Sequence, residues 1–142
     1  MLSHQLKELI KTYPDFPKKG IFFRDWLPIL TNPKVHSELI EKMAADPMFK
    51  QCDALIAIDA RGFLLGSSIA LKVFKPLVLA RKPGKLPGDL VVKSYNLEYG
   101  NNSLSIQKDS LRSYQTFAIV DDLLATGGTV RCVSDILESY RK

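Results

Sequence analysis

Two adjacent carboxylates, Asp121 and Asp122, follow the apolar run Phe117 to Val120 and precede a glycine pair, Gly127 and Gly128, flanked by Thr126 and Thr129. Backbone N–H groups of a glycine-containing turn at a helix start point outward and, with the helix dipole, form an anion site. A phosphate fits there. Glycine lets the chain approach phosphate oxygens without an intervening side chain, and the threonines add hydroxyl donors. Carboxylates beside such a cradle must serve another part of the same ligand. A sugar diol is the natural candidate, held by hydrogen bonds to the two acids directly or through Mg²⁺. A Walker A loop requires Gly-Lys-Ser/Thr, whereas Gly128 is followed by Thr129. Local physics alone also allows an ordinary strand–turn–helix connection with exposed acids.

The elements that would present this loop can be read from apolar spacing. Leu6, Leu9, Ile10 and Tyr13 predict an amphipathic helix ended by Pro14 and Pro17. Asn32-Pro33 opens a second, through Leu39, Ile40 and Met43, which should stop before Pro47. Ala54 to Ile58 is an apolar run of strand length ending at Asp59, and Gly62 to Phe74 reads as a helix with Phe63, Ile69, Ala70 and Val73 inward. Pro76 to Ala80 and Phe117 to Val120 are further apolar runs, continuous rather than alternating, as in parallel sheets covered on both faces. A last helix aligns Val130, Val133, Leu137 and Tyr140, with Ile136 widening the face. Arg81 to Tyr114 is long and rich in Gly, Pro, Asn and Ser, with alternating pieces at Leu90 to Ser94 and Ser103 to Gln107. That pattern predicts a mobile hairpin of the kind that serves as a lid.

Composition narrows the function classes. A chain of 142 residues with 46% hydrophobic content suits one domain with one core. Mean hydropathy is -0.02, and no apolar run approaches the ~18 residues of a membrane span. The N-terminus lacks a signal-peptide h-region, so a cytoplasmic protein is expected. Cys52 and Cys132 have no metal-ligand spacing and read as structural thiols. The net charge of +5 is spread along the chain without a basic block, so nucleic acid is not an expected partner. An anionic small substrate is compatible with it, and Arg81, Lys82 and Lys85 form a basic cluster among glycines and prolines.

The segment FAIVDDLLATGGT, Phe117 to Thr129, resembles the ribose-phosphate motif of type I phosphoribosyltransferases along its whole length. Further segments, in order from about Pro14 to the end of the chain, resemble the adenine-specific branch of that family. GIFFRDWLPIL from Gly20 is similar to the segment that presents backbone groups near Phe22 and Arg24 to the adenine edge. DARGFLLG from Asp59 resembles the pyrophosphate loop, with Arg61 facing the leaving group and a cis Asp59–Ala60 peptide. RKPGKLPG from Arg81 and SYNLEYG from Ser94 resemble the two sides of the flexible catalytic loop, and IQKDSL from Ile106 continues the match.

The resemblance implies an α/β type I phosphoribosyltransferase fold: a central, mostly parallel sheet flanked by helices. It also implies an N-terminal hood (1–32) and a flexible catalytic loop (81–114) within a single domain spanning 1–142. The reaction implied is purine salvage, in which adenine N9 displaces pyrophosphate at C1 of 5-phosphoribosyl-1-pyrophosphate (PRPP) to give AMP. Arg61, Lys82, Lys85 and Mg²⁺ would stabilise the leaving pyrophosphate. Asp121 and Asp122 would steady the sugar, with Mg²⁺ held through PRPP and these acids. Ala125, Thr126, Gly127, Gly128 and Thr129 would hold the 5′-phosphate. Glu98 would meet the purine and manage its proton, and Tyr99 would close over the site. Arg81 would join PRPP or AMP binding and reach toward the neighbouring site of a homodimer.

Each of these also has a plainer reading: Arg61 as a cap or pairing partner at a helix start, Lys82 and Lys85 as solvated loop charges, and Glu98 as a solvated acid. Asp59 is expected to end its strand or orient Arg61. The resemblance further implies that relatives continue past the last helix with another strand and an apolar wall of the purine pocket. On that expectation the Phe117 to Val120 strand keeps an unpaired edge and adenine binding suffers more than PRPP binding. The alternative function is a non-catalytic PRPP- or AMP-binding variant, against which Arg61, Lys85 and Glu98 argue.

Overall fold

The computed structural model describes residues 1–97 and 100–141, and the chain forms two compact units, Met1–Ala45 and Asp46–Lys142. In the first unit, helix α1 spans Leu2–Leu9 and gives way at Ile10 to extended backbone. Strand β1 (Lys11–Tyr13) then pairs antiparallel with β2 (Phe23–Asp25), Tyr13 opposite Phe23. The predicted helix through Tyr13 is thus too long. Its last turn is claimed by a strand partner ten residues further on, which helical spacing cannot reveal. The connection is folded by Asp15, whose Oδ1 accepts from Gly20 N at 2.7 Å, and by the Phe16–Phe23 edge-on ring pair.

A 3-10 turn at Leu27–Thr31 leads to α2 (Pro33–Ala44). Asn32 Oδ1 accepts from Val35 N at 3.2 Å, an N-cap followed by Pro at the first helical position, as the sequence predicts. Val35, Ile40 and Ala44 are its buried face. The second unit begins with α3 (Pro47–Gln51), a short helix that spacing did not predict: Pro47 starts an element instead of only stopping one, because Asp46 caps Met48 N.

The body of the second unit is a parallel sheet in the order β4–β3–β7, with β3 at Ala54–Ile58, β4 at Leu77–Ala80 and β7 at Phe117–Val120. All five residues of β3 are buried, which explains the unbroken apolar run. Its alternate side chains serve two layers. Ala57 meets α4 (Gly62–Val73), where Gly66 runs so close that an added Cβ would lie 2.5 Å from Ala57 Cβ. Ile56 and Ile58 belong to the main core, with Val133 and Ile136 of α6 (Gly128–Arg141).

The stretch expected to be a lid contributes to that core. β5 (Leu90–Leu97) and β6 (Gly100–Gln107) pair antiparallel, in register from Leu90 opposite Gln107 to Leu97 opposite Gly100. Leu104 and Ile106 of β6 and Leu111 of α5 (Lys108–Leu111) are buried in the main cluster. Each such side chain contributes about 1.5–3 kcal/mol, against about 1 for a typical net hydrogen bond, so the hairpin's base is anchored by apolar burial. Alternation alone marks the strands but not what their inner faces meet.

Candidate active site

The site is built where two parallel strands end side by side. Ala57 and Val120 are register partners, so the segments leaving β3 and β7 emerge together at the carboxyl edge of the sheet. Such edges are where open α/β sheets place ligands. Behind them lies a cavity of about 390 Å³.

The segment after β3 carries Asp59, a cis Asp59–Ala60 peptide, and Arg61 at the N-cap of α4. The Arg61 side chain makes no cap bond. Its Nε reaches across to the segment after β7, 2.9 Å from Asp122 Oδ2, and it lines the cavity. Gly62 follows because nothing larger fits: an added Cβ would lie 2.9 Å from Asp121 Oδ1 and 3.1 Å from Val120 O. The two loops are therefore packed backbone against carboxylate.

After β7, Asp121 Oδ1 accepts from Asp122 N at 2.8 Å. Burial, reinforced by the neighbouring Asp122 side chain, pushes the Asp121 carboxyl up from 3.8 to about 6, while the Asp122 N–H and Arg61 oppose the shift. The loop then turns through Gly127 at φ 81 into α6, with Thr126 Oγ1 accepting from Gly128 N at 3.4 Å. Ala125, Thr126, Gly127, Gly128 and Thr129 all line the cavity together with Asp121 and Asp122. This is a turn at the N-terminus of a helix of fourteen residues, and two acids border it.

Lys82 lines the cavity, with its backbone N donating to Asp59 Oδ2 at 3.3 Å. Lys85 is exposed in the loop beyond it and is not part of the lining. Arg81 Nε sits 3.2 Å from Asp59 Oδ2, and its guanidinium lies 5.6 Å from the Phe63 ring centroid. Of the two roles expected for Asp59, it follows the end of its strand, and its carboxylate accepts from Arg81 Nε and the Lys82 backbone N. Phe22 is 71% exposed beside β2 and Arg24 is on β2 opposite Thr12, both in the N-terminal unit. Glu98 and Tyr99, between β5 and β6, lie outside the described residues.

Tyr95 and Asn102 line the cavity and were not anticipated. They are cross-strand partners in the hairpin, which puts both on one face of it, and Tyr95 Cδ2 would be 3.6 Å from a Cβ added at Gly128. The hairpin register was the signal that could have found them. Leu123 and Leu124, the apolar pair that follows the two acids, line the cavity while 63% and 73% exposed. No group of three or more His, Cys, Asp or Glu residues able to hold a metal occurs among the described residues. No helix among them is long and apolar enough to cross a membrane.

The phosphoribosyl transferase domain model matches residues 26–141. Adenine phosphoribosyltransferase of Prochlorococcus marinus is 58% identical over 142 residues, covering 100% of this chain and 83% of the relative. The crystal structure of adenine phosphoribosyltransferase from Thermoanaerobacter pseudethanolicus superposes with a TM-score of 0.90 at 42% identity, over 99% of this chain and 81% of that one. The Saccharomyces cerevisiae enzyme, complexed with an imino-altritol bisphosphate and adenine, gives a TM-score of 0.89 at 35% identity, over 98% and 81%.

Proposed function

The chain belongs to the phosphoribosyltransferase family with the type I fold, and from that premise we propose a function in purine salvage. It is an adenine phosphoribosyltransferase in type: it transfers the phosphoribosyl group of PRPP to adenine, giving AMP and pyrophosphate. The observation that carries the reading is the convergence of Arg61, the Asp121–Asp122 pair and the Gly127 turn on one cavity.

The residues divide the substrate between them. N–H groups at the start of α6 and the Thr126 and Thr129 hydroxyls hold the 5′-phosphate, an anion at a helix N-terminus. Asp121 and Asp122 accept hydrogen bonds from the ribose hydroxyls. As the bond at C1 breaks, negative charge collects on pyrophosphate, and Arg61 and Lys82 supply fixed positive charge for it. Mg²⁺ fits this donor set, because it characteristically combines one or two protein carboxylates, here Asp121 and Asp122, with substrate phosphate oxygens, and when bound it adds Lewis-acid stabilisation of the leaving group.

On the family resemblance, Glu98 manages the purine proton, Tyr99 closes the site, Lys85 reaches the pyrophosphate from its loop, and Phe22 and Arg24 present the adenine edge. A cytoplasmic setting and a homodimer complete the proposal. The exposed Leu71 and Phe74 at the end of α4 support the dimer as apolar surface available for a second copy; sedimentation at the monomer mass would refute it.

The test is direct. The purified protein with adenine, PRPP and Mg²⁺ should yield AMP and pyrophosphate. PRPP binding without product would favour the non-catalytic alternative, and equal turnover of hypoxanthine or guanine would overturn the base assignment.

A further inference from the structure

Two groups assigned to different parts of the substrate are bound to each other. Arg61, the pyrophosphate group, and Asp122, the ribose group, form an ion pair at 2.9 Å in which Asp122 is the covered partner, 8% exposed against 32% for Arg61. Both residues line the cavity, and there Arg61 Nε occupies one Asp122 oxygen. A ribose hydroxyl that is to use the paired Asp122 oxygen competes with a cationic donor, whose full charge adds a Coulombic attraction to the carboxylate that a neutral hydroxyl lacks. An anion that engages Arg61 removes that competitor.

We infer that the Arg61–Asp122 pair couples the two halves of the site, so that the pocket selects a ribosyl phosphate accompanied by pyrophosphate over the same sugar phosphate alone. The inference rests on the ligand assignments above. Its physical content is an exchange. In one arrangement Arg61 is bonded to Asp122. In the other, Arg61 is bonded to phosphate oxygens and Asp122 to the sugar. Arg61 is the more exposed member, so the pyrophosphate end has the easier access to it. The neighbouring Asp121 biases the exchange the same way. Drawing Arg61 from Asp122 with no other partner for either would leave two adjacent carboxylates facing each other, a like-charge arrangement that costs free energy. PRPP supplies both new partners in one molecule. Ribose 5-phosphate supplies only one, which makes Arg61 and Asp122 together specificity-determining residues.

Coupling of this kind is reciprocal and typically amounts to a change of about 5- to 150-fold in affinity. Calorimetric titration of the full chain with ribose 5-phosphate, in Mg²⁺-containing buffer with and without saturating pyrophosphate, measures it. Ribose 5-phosphate should bind at least about fivefold tighter with pyrophosphate present, and pyrophosphate correspondingly tighter with the sugar phosphate present. Arg61→Gln should bind ribose 5-phosphate alone about as tightly as the parent does with pyrophosphate, and should show no coupling. Equal affinities with and without pyrophosphate in the parent would overturn the inference while leaving the site assignment standing, as would coupling undiminished in Arg61→Gln. Failure of ribose 5-phosphate to bind under either condition would instead sink the site assignment itself.

Discussion

Gly62 and Asp121 are packed so closely that a methyl group on the glycine would sit 2.9 Å from Asp121 Oδ1 and 3.3 Å from its Cα. The contact joins the helix that carries Arg61 to the loop that carries both acids, so the spacing of the pyrophosphate and ribose groups is set by the absence of one side chain. Gly62→Ala should push the Asp121 loop outward by tenths of an ångström. PRPP affinity should fall about tenfold, a change of about 1.4 kcal/mol, with the fold retained. Calorimetric PRPP titration beside a thermal melt checks this, and unchanged affinity would show that the contact does not set the site.

A second glycine tests packing remote from the loop acids. Gly66→Ala gains about 1 kcal/mol of helix propensity but forces its Cβ to 2.5 Å from Ala57 Cβ. Overpacking a tight core costs about 1–3 kcal/mol. The expected net is destabilisation of up to about 2 kcal/mol in urea unfolding, relieved in the double variant Gly66→Ala with Ala57→Gly. A single variant as stable as the parent would mean that α4 can lift from β3 freely.

The raised Asp121 carboxyl gives a pH signature. Its folded value of about 6 lies above its ordinary 3.8, so the group favours the folded state below 3.8 and that contribution is lost as pH rises through about 6. The ligand-free protein should therefore lose part of its melting temperature between pH 4 and 6, and Asp121→Asn should remove that part. PRPP affinity should run the other way, weakening as pH drops below about 6 and the acceptor is protonated. Asp121→Asn should be weaker at neutral pH and should retain only the pH dependence of the substrate's own phosphates. A profile identical to the parent's would contradict the ribose role of Asp121.

Asp53 should titrate with the opposite sign. Its carboxylate accepts from Gln115 N at 2.9 Å and Thr116 N at 3.0 Å, tying the entry of β3 to the entry of β7. Those backbone donors, first Gln115 and then Thr116, hold its carboxyl below 3.8. Its stabilisation is present above the ordinary value and disappears as pH falls through the lowered one. Asp53→Ala should melt lower than the parent at pH 7, and the gap should narrow as pH falls below the ordinary carboxylate range. A gap that persists in acid would assign the effect to packing.

Much of the site was legible because its parts are local. A strand, two acids, a glycine turn and a helix occupy one continuous stretch, Phe117 to Thr129, and each of these features has its physical reason within a few residues. The strands β3, β4 and β7 could be read for the same reason: burial on both faces leaves an unbroken apolar run. The short pairing of Lys11–Tyr13 with Phe23–Asp25 could not, because its partner lies beyond the reach of helical periodicity. The helix after Pro47 carries the same cap-and-proline start as Asn32-Pro33, but its five residues are too few to show helical spacing.

The sequence by itself determined the chemistry on offer: which residues are acidic, basic or glycine at the ends of strands, and hence a sugar phosphate held between a turn and two carboxylates. Tertiary structure alone decided the pairings. The adjacency of β3 and β7 brings Arg61 to Asp122, sixty-one positions on, while Asp59 accepts from Arg81 and the Lys82 backbone. Tyr95 and Asn102 enter the cavity only through the hairpin's register. Distance in the chain does not rank such partners, because strand order and register decide which loops emerge side by side.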